Sequence, residues 1–447
     1  MTRPLPLPRG IVPTLAAASG IALSSFAQSE SPLPRSIDVE AVRMDGSWIT
    51  GRLQRLEGDR IVVLATSGAS GEIELDRGSI AMAAFRDRSD RLRRMPRSSS
   101  TPRLSDVTGV LELVDGQTFP GTQRMDAGAL VWDHRWLGGM PILIDRTARL
   151  RFTGARPIER SESLDRLLLI NGDRLEGFVE SIGDDILLGP ASASEKSDEQ
   201  PSDPPEQSSQ GPRRISLDRI ACIALADAST DAPSFEDAVE VRAADGTVLF
   251  ASDVRFDAST GWRYRPSDPR LPQIREEIAF AGGLADPTSI SFARSRIRDL
   301  TSITPSRASV PEGEYRYDIS SAIRRDASSP DIMGLGTISI DSPATIDWPI
   351  PRDFSGSATR LVATIDVASD SDLRDSGSVE IELRAGASAT NSARLGAGTS
   401  RATLRIEFDP AAADTLSLIL RDGGDGPVGD RIRCSRGLLI SSPSPAR

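Results

Sequence analysis

The chain has 447 residues, 38% of them hydrophobic and only 4% aromatic. That length allows several domains, and their cores must be built from Leu, Ile, Val and Ala. The net charge of -11 opposes general binding to nucleic acid or to an anionic membrane.

Taken in chain order, the sequence opens like a secretion signal. Arg3 and Arg9 supply a basic start, and residues 11–26 are largely apolar and small. Ser25-Phe26-Ala27 before Gln28 fits the small-x-small cleavage rule. Residues 1–27 are therefore expected to be a signal peptide, and the mature chain to be exported, periplasmic or extracellular. Pro13 and Gly20 interrupt the apolar run, which is too short for a comfortable membrane span. Nothing after Gln28 resembles a transmembrane helix.

Four stretches then repeat one pattern: extended apolar residues, Asp-Gly or Asn-Gly, and more extended residues. The turns fall at Asp45-Gly46, Asp115-Gly116, Asn171-Gly172 and Asp245-Gly246. Asx-Gly suits a tight reversal in which both central residues tolerate positive φ. The first repeat is expected over 37–85, with strands Val39–Met44, Trp48–Leu56, Arg60–Thr66, Gly71–Asp76 and Ile80–Phe85. Five short strands in so few residues predict an SH3-like or Sm-like small barrel. The second, 108–152, repeats the plan with a fourth strand at Pro141–Ile144. The third, 165–225, carries an insertion at 191–212 rich in Ser, Glu, Asp, Gln and Pro, with the composition of a disordered segment. The fourth, 238–303, is longer and is expected to close with Ile297–Ile303. Between the first two lies an arginine-rich linker, Arg86–Arg97, read as a solvated connector in preference to a polyanion-docking segment.

The texture changes after Thr304–Pro311. Residues 311–441 form a series of alternating or β-branched segments bounded by Gly, Asp or Pro, the pattern of a β-sandwich. This stretch resembles the NPCBM/NEW2 family on Gly334-Leu335-Gly336 with Ser339, Val362–Asp366 leading to Asp370–Asp372, and Gly377-Ser378-Val379-Glu380-Ile381. Leu416–Leu420, Asp422-Gly423-Gly424-Asp425-Gly426 and Gly429-Asp430 complete the resemblance. The resemblance implies a galactose-binding-like jelly-roll that binds carbohydrate. The whole arrangement is similar to exported planctomycete proteins in which small β-repeats precede such a module.

Chemistry has few footholds. His134 is the only histidine, so a Ser-His-Asp triad or a histidine-dependent zinc site would have to use it. It reads as a loop residue. Neither a GxSxG elbow, an HExxH helix motif nor a phosphate-binding P-loop motif is present. A glycosidase pair needs two carboxyls held across a sugar-lined cleft, and small barrels or a compact sandwich rarely supply one. Cys222 and Cys434 sit in apolar, strand-like runs and are read as buried thiols in preference to a disulfide.

Asp422, Asp425 and Asp430 share one Gly-rich loop. Their spacing supplies three carboxylates for calcium, a structural ion that the resemblance also implies, although Asp and Gly equally make tight turns. For a ligand, Tyr315 and Tyr317 share one face of an extended segment, and Trp348 between Asp347 and Pro349 is either a stacking platform or a plug of the sandwich. Glycan binding thus comes from the resemblance rather than from a visible site.

The expectation is an all-β, non-catalytic exported protein: tandem small barrels followed by a jelly-roll sandwich that contacts a glycan or cell-envelope component. The alternatives are a protein–protein scaffold without sugar binding and, more weakly, an accessory subunit of a hydrolase.

Overall fold

The computed structural model describes residues 37–66, 71–87, 109–152, 154–190, 211–226, 235, 238–268, 278–280, 286–309, 323–326, 335–352, 360–369, 378–387, 389–396, 398–424 and 431–442. The signal segment, nearly all of the 191–212 insertion and the linker from residue 88 onward lie outside them. The described elements are strands and short 3-10 turns. Among the described residues no helix is long and apolar enough to cross a membrane.

The first repeat contains β1 (Ile37–Arg43), β2 (Trp48–Glu57), β3 (Arg60–Ala65), β4 (Glu72–Asp76) and β5 (Ile80–Asp87). The second contains β6 (Gly109–Leu113), β7 (Thr118–Asp126), β8 (Ala129–His134), β9 (Gly138–Pro141) and β10 (Thr147–Arg151). The third contains β11 (Asp165–Leu169), β12 (Arg174–Ile182), β13 (Asp185–Gly189), β14 (Arg213–Ser216) and β15 (Ile220–Ala224). The fourth contains β16 (Val239–Ala243), β17 (Val248–Asp257), β18 (Gly261–Pro266), β19 (Ile278–Phe280) and β20 (Pro287–Ser291). All four share one pairing scheme. The first four strands form an antiparallel meander, and the first strand also pairs with the fifth.

The Asx-Gly turns differ from the expected mirror-image reversal. Only the glycine has positive φ, at +80°, +92°, +92° and +95° for Gly46, Gly116, Gly172 and Gly246. Each glycine N–H donates to the carbonyl three residues back, as in Gly46 N to Arg43 O at 2.9 Å. This is a type I turn followed by a left-handed glycine, a three-residue hairpin loop. The Asx residue serves through its side chain instead: Asp45, Asp115, Asn171 and Asp245 each accept the N–H two residues ahead at 2.8–3.1 Å.

Two strand assignments change. The fourth strand of the second repeat is Gly138–Pro141, because Gly138 at φ +77° reverses the chain directly after His134. Residues Ile144–Arg146 form a 3-10 turn, the counterpart of Arg77–Ser79 and Leu217–Arg219 ahead of the other closing strands. The fourth repeat closes with β20, not with Ile297–Ile303. Ile290 of β20 is fully buried and lies opposite Val241, and β21 (Ile297–Asp299) is drawn to the sandwich by pairing with its last strand.

The repeats associate in a nested order. Closing strands β5 and β20 pair antiparallel, joining the first repeat to the fourth. Closing strands β10 and β15 pair in the same way, joining the second to the third. Each pair shares one hydrophobic core. Trp262 of the fourth repeat is fully buried against Phe85 of the first, with ring centroids 4.8 Å apart. In the other pair, Trp132 is fully buried and donates its indole N–H to Phe119 O at 2.8 Å.

The sandwich starts before the Thr304–Pro311 joint and runs through it: β21 precedes the joint, β22 (Arg307–Ser309) lies within it, and they belong to its two sheets. One sheet runs β23 (Ile323–Asp326), β24 (Thr337–Asp341), β31 (Arg431–Ser442), β26 (Arg360–Ser369) and β29 (Arg401–Phe408), with β21 also on β31. The other runs β22, β25 (Ala344–Pro349), β30 (Thr415–Asp422), β27 (Val379–Ala385) and β28 (Ala389–Leu395). Their inward side chains, among them Ile346, Leu361, Ile381, Leu404 and Leu418, form one core.

Candidate functional site

His134 ends β8 and is buried, not a loop residue. Leu137 N–H donates to its Nδ1 at 3.1 Å, so Nε2 carries the ring hydrogen and donates to Thr247 Oγ1 at 2.9 Å. Asp245 stands beside the same Nε2 at 4.0 Å and accepts the Trp136 indole N–H at 2.6 Å. The residue types are those of a hydroxyl–imidazole–carboxylate triad, but the geometry is not. A triad requires the imidazole to accept from the hydroxyl and donate to the carboxylate through its other nitrogen. Here the imidazole donates to the hydroxyl, and the other nitrogen is taken by backbone. Burial lowers the His134 pKa to about 4, outweighing the opposite pull of Asp245 and Asp133. The cluster, with its imidazole held neutral, is a closed latch between the second and fourth repeats.

A second buried cluster lies on the same joint. Arg146 Nη2 donates to Asp115 Oδ2 at 3.1 Å and to Asp268 Oδ2 at 2.9 Å, with all three side chains 5% exposed. Gln117 is fully buried; its Oε1 accepts Phe250 N–H at 3.0 Å and its Nε2 donates to Asp115 Oδ2 at 3.1 Å.

Both cysteine thiols are buried and outside any disulfide. Burial pushes Cys434 up to about 12 and raises Cys222. Neither is therefore a ready nucleophile.

In the sandwich, one outer face is sealed. Val362 of β26 and Leu438 and Ile440 of β31 pack against Val42, Met82 and Ala84 of the first repeat. A register shift in the β26–β31 pairing lies opposite Arg436, whose φ is +55°. Arg436 Nη2 donates to Glu40 Oε2 at 2.5 Å, and its guanidinium lies 5.0 Å from the Trp48 ring centroid. The sandwich is thereby fixed on the first repeat by apolar contact and by charge.

The other outer face is open and polar. Strand register sets Arg307, Asp347, Ser417, Arg384 and Thr390 in one row across all five strands. The next row holds Ser309, Thr345, Glu382 and Ser392 around Ile419, which is buried. Asp347 Oδ1 accepts Ser417 Oγ–H at 2.6 Å, and Glu382 Oε2 accepts Arg421 Nη2 at 2.7 Å. Carboxylate, hydroxyl and guanidinium groups thus repeat at the strand spacing of about 4.8 Å, an arrangement able to address a row of ligand hydroxyls. The described residues of this face include no aromatic side chain.

The residues singled out from sequence are not brought together there. Trp348 alternates with Ile346 into the core and is 1% exposed, so its indole has no surface to offer a sugar. Tyr315 and Tyr317 lie outside the described residues, as do Asp425 and Asp430. Asp422 is described: its Oδ1 accepts Gly424 N–H at 2.9 Å, which ties the carboxylate into its own turn. Arg394, which sequence reading passed over, donates beside it to Ser378 Oγ at 3.0 Å and Gly423 O at 2.7 Å. Among the described residues no three His, Cys, Asp or Glu side chains cluster as metal ligands.

No protein-family model matches the sequence, and no curated protein does. Solved structures similar to this chain include the CBM51 module of a Clostridium perfringens GH95 protein in complex with methyl-galactose. It is 17% identical, with 32% of this chain and 99% of that one covered and a TM-score of 0.25. The tandem CBM51 modules of a family 98 glycoside hydrolase from Streptococcus pneumoniae are 14% identical, covering 46% and 71%, at 0.24. The mannan-recognising module TmCBM27 is 16% identical, covering 33% and 96%, at 0.22. The two-sheet sandwich itself rests on the strand pairing described above.

Proposed function

We propose that this chain is a non-catalytic, exported binding protein whose NPCBM-like sandwich contacts carbohydrate or other cell-envelope material through its open sheet face. The observation that carries the reading is the asymmetry of the sandwich. One sheet is sealed by the first repeat, while the other presents Arg307, Asp347, Ser417, Arg384 and Thr390 in one exposed or half-exposed row. The repeats would hold this face at a fixed orientation, since the sandwich is packed on the first of them. A glycan array on the mature chain tests the reading. Binding that is lost in Asp347→Ala with Arg384→Ala, the fold being intact by circular dichroism, supports it. A flat array from folded protein favours the second reading, a protein–protein scaffold, which draws support from the absence of an aromatic platform among the described residues of that face.

For Asp422, Asp425 and Asp430 a structural calcium is the alternative to a purely local turn, and the turn is the reading proposed. The observed Asx turn at Asp422 argues that its carboxylate is already used locally.

A further inference from the structure

A broad groove lies away from the sandwich. It measures about 760 Å³ and is lined by Gln54, Arg55, Glu57, Arg60, Val62, Glu72, Glu74 and Asp257. Register explains how these residues meet. Glu74 of β4 lies opposite Val62 of β3, Val62 opposite Arg55 of β2, and Arg55 opposite Asp257 of β17. A single row thus crosses four strands and two repeats, and the groove is the outer face of that composite sheet. Its walls carry four carboxylates against two guanidiniums. Arg60 is held by Glu74 at 2.9 Å and Arg55 lies 3.8 Å from Glu57. Glu72 and Asp257 therefore supply the net negative charge, one on each wall.

The β4 wall of the groove is a strand edge. Among the described residues β4 pairs with β3 alone. Its sequence alternates Glu72, Ile73, Glu74, Leu75, Asp76, with the carboxylates on one face and Ile73 37% exposed. Charged side chains on an edge strand ordinarily guard against aggregation. Here the guard has a single sign and leaves an apolar side chain uncovered. It repels an acidic strand and accommodates a basic one.

We infer that β4 is a docking edge for an extended basic peptide, which adds to the sheet as a further strand and lays its cationic side chains along the acidic wall of the groove. Backbone pairing supplies affinity in such an addition, and alternate side chains supply specificity. Opposite charges on adjacent strands favour the pairing. The fitting pattern is basic–apolar–basic–apolar, the complement of β4 itself. Ile73 meets the apolar positions, Glu72 meets one basic position, and Glu74 meets the other by exchanging its exposed Arg60 partner.

The test uses the mature chain and a fluorescent hexapeptide alternating arginine and valine, followed by anisotropy and by hydrogen exchange of the Glu72–Asp76 amides. Saturable binding with slowed exchange in that segment is expected. The double variant Glu72→Lys with Glu74→Lys should bind at least about tenfold more weakly, a change of about 1.4 kcal/mol. The same peptide N-methylated at alternate residues, which keeps the charge but loses a row of donors, should weaken comparably. Equal binding by the methylated peptide, by an alternating glutamate–valine peptide or by the charge-reversed variant would overturn the inference. So would protection of another segment, absence of binding, or protection of 72–76 by a neutral oligosaccharide in place of the peptide. The open face of the sandwich is untouched by these variants, so this result and the glycan-array result stand or fall separately.

Discussion

The two kinds of joint between repeats contrast sharply in composition. The first and fourth repeats meet through Phe85, Ile290 and Trp262 in a common apolar core. The second and fourth meet through His134, Thr247, Trp136, Asp245, Arg146, Asp268 and Gln117, a buried set of hydrogen bonds and charges, to which Leu249 adds the apolar contact. The apolar joint gains from every square ångström removed from water. The polar joint roughly balances desolvation against pairing, so it adds geometric definition more than free energy. Within a pair the repeats are folding partners. Between pairs they are docked.

Breaking the apolar joint should have the largest effect. Trp262→Ala removes a fully buried indole from the core shared by two repeats and should cost about 4 kcal/mol in chemical denaturation. Both repeats should lose cooperativity together, seen as early hydrogen exchange in β1 and β17 alike.

The polar joint should respond next. Arg146→Ala leaves Asp115 and Asp268 buried without their shared counter-charge, at a cost of about 3 kcal/mol. Exchange should rise at the second–fourth joint while β5 and β20 stay protected. Equal loss of protection at both joints would erase the distinction between them.

A smaller, pH-dependent effect sharpens the comparison. The folded-state pKa of His134 near 4 lies below its ordinary 6.5, so between these values the unfolded chain binds more protons. The stability contribution is full above pH 6.5 and is lost as pH falls from 6.5 toward 4, at up to about 1.4 kcal/mol per pH unit. His134→Gln should flatten this part of the profile. Matching pH profiles for the two proteins would show that the imidazole is not held neutral.

The smallest effect should come from the sandwich loop. Asp422→Ala removes one Asx-turn acceptor and should cost about 1 kcal/mol or less. With the turn as the carboxylate's role, EDTA should leave the melting temperature unchanged, whereas a calcium-dependent rise would assign it to an ion.

What was legible in the sequence was local. Asx-Gly turns and period-2 alternation located nearly all strands of the first three repeats, because each depends on neighbouring residues. Strand β28 escaped notice because Ala389, Ala393 and Leu395 are its inward side chains, too small a signal beside Thr390, Asn391, Ser392 and Arg394. Arg146 was hidden by its likeness to Arg77 and Arg219, which occupy the same 3-10 turn in other repeats. It alone of the three is buried, since only there does the fourth repeat bring a carboxylate, Asp268, across more than a hundred residues. The partnership of Asp245 with His134 and Trp136 is equally remote, so His134 read as a loop residue. Trp348 was ambiguous between platform and core until the opposite sheet supplied its neighbours.

The nested association of the repeats is most directly tested by disulfide trapping in a background lacking Cys222 and Cys434. Paired cysteines would be placed at Ala83 with Ile290 and, separately, at Ala84 with Ser289, the residues facing each other across β5 and β20. At least one pair should close within a single chain and leave the circular dichroism spectrum unchanged. Failure of both pairs, with closure instead between Ala84 and Leu150 of the neighbouring repeat, would contradict the nested order.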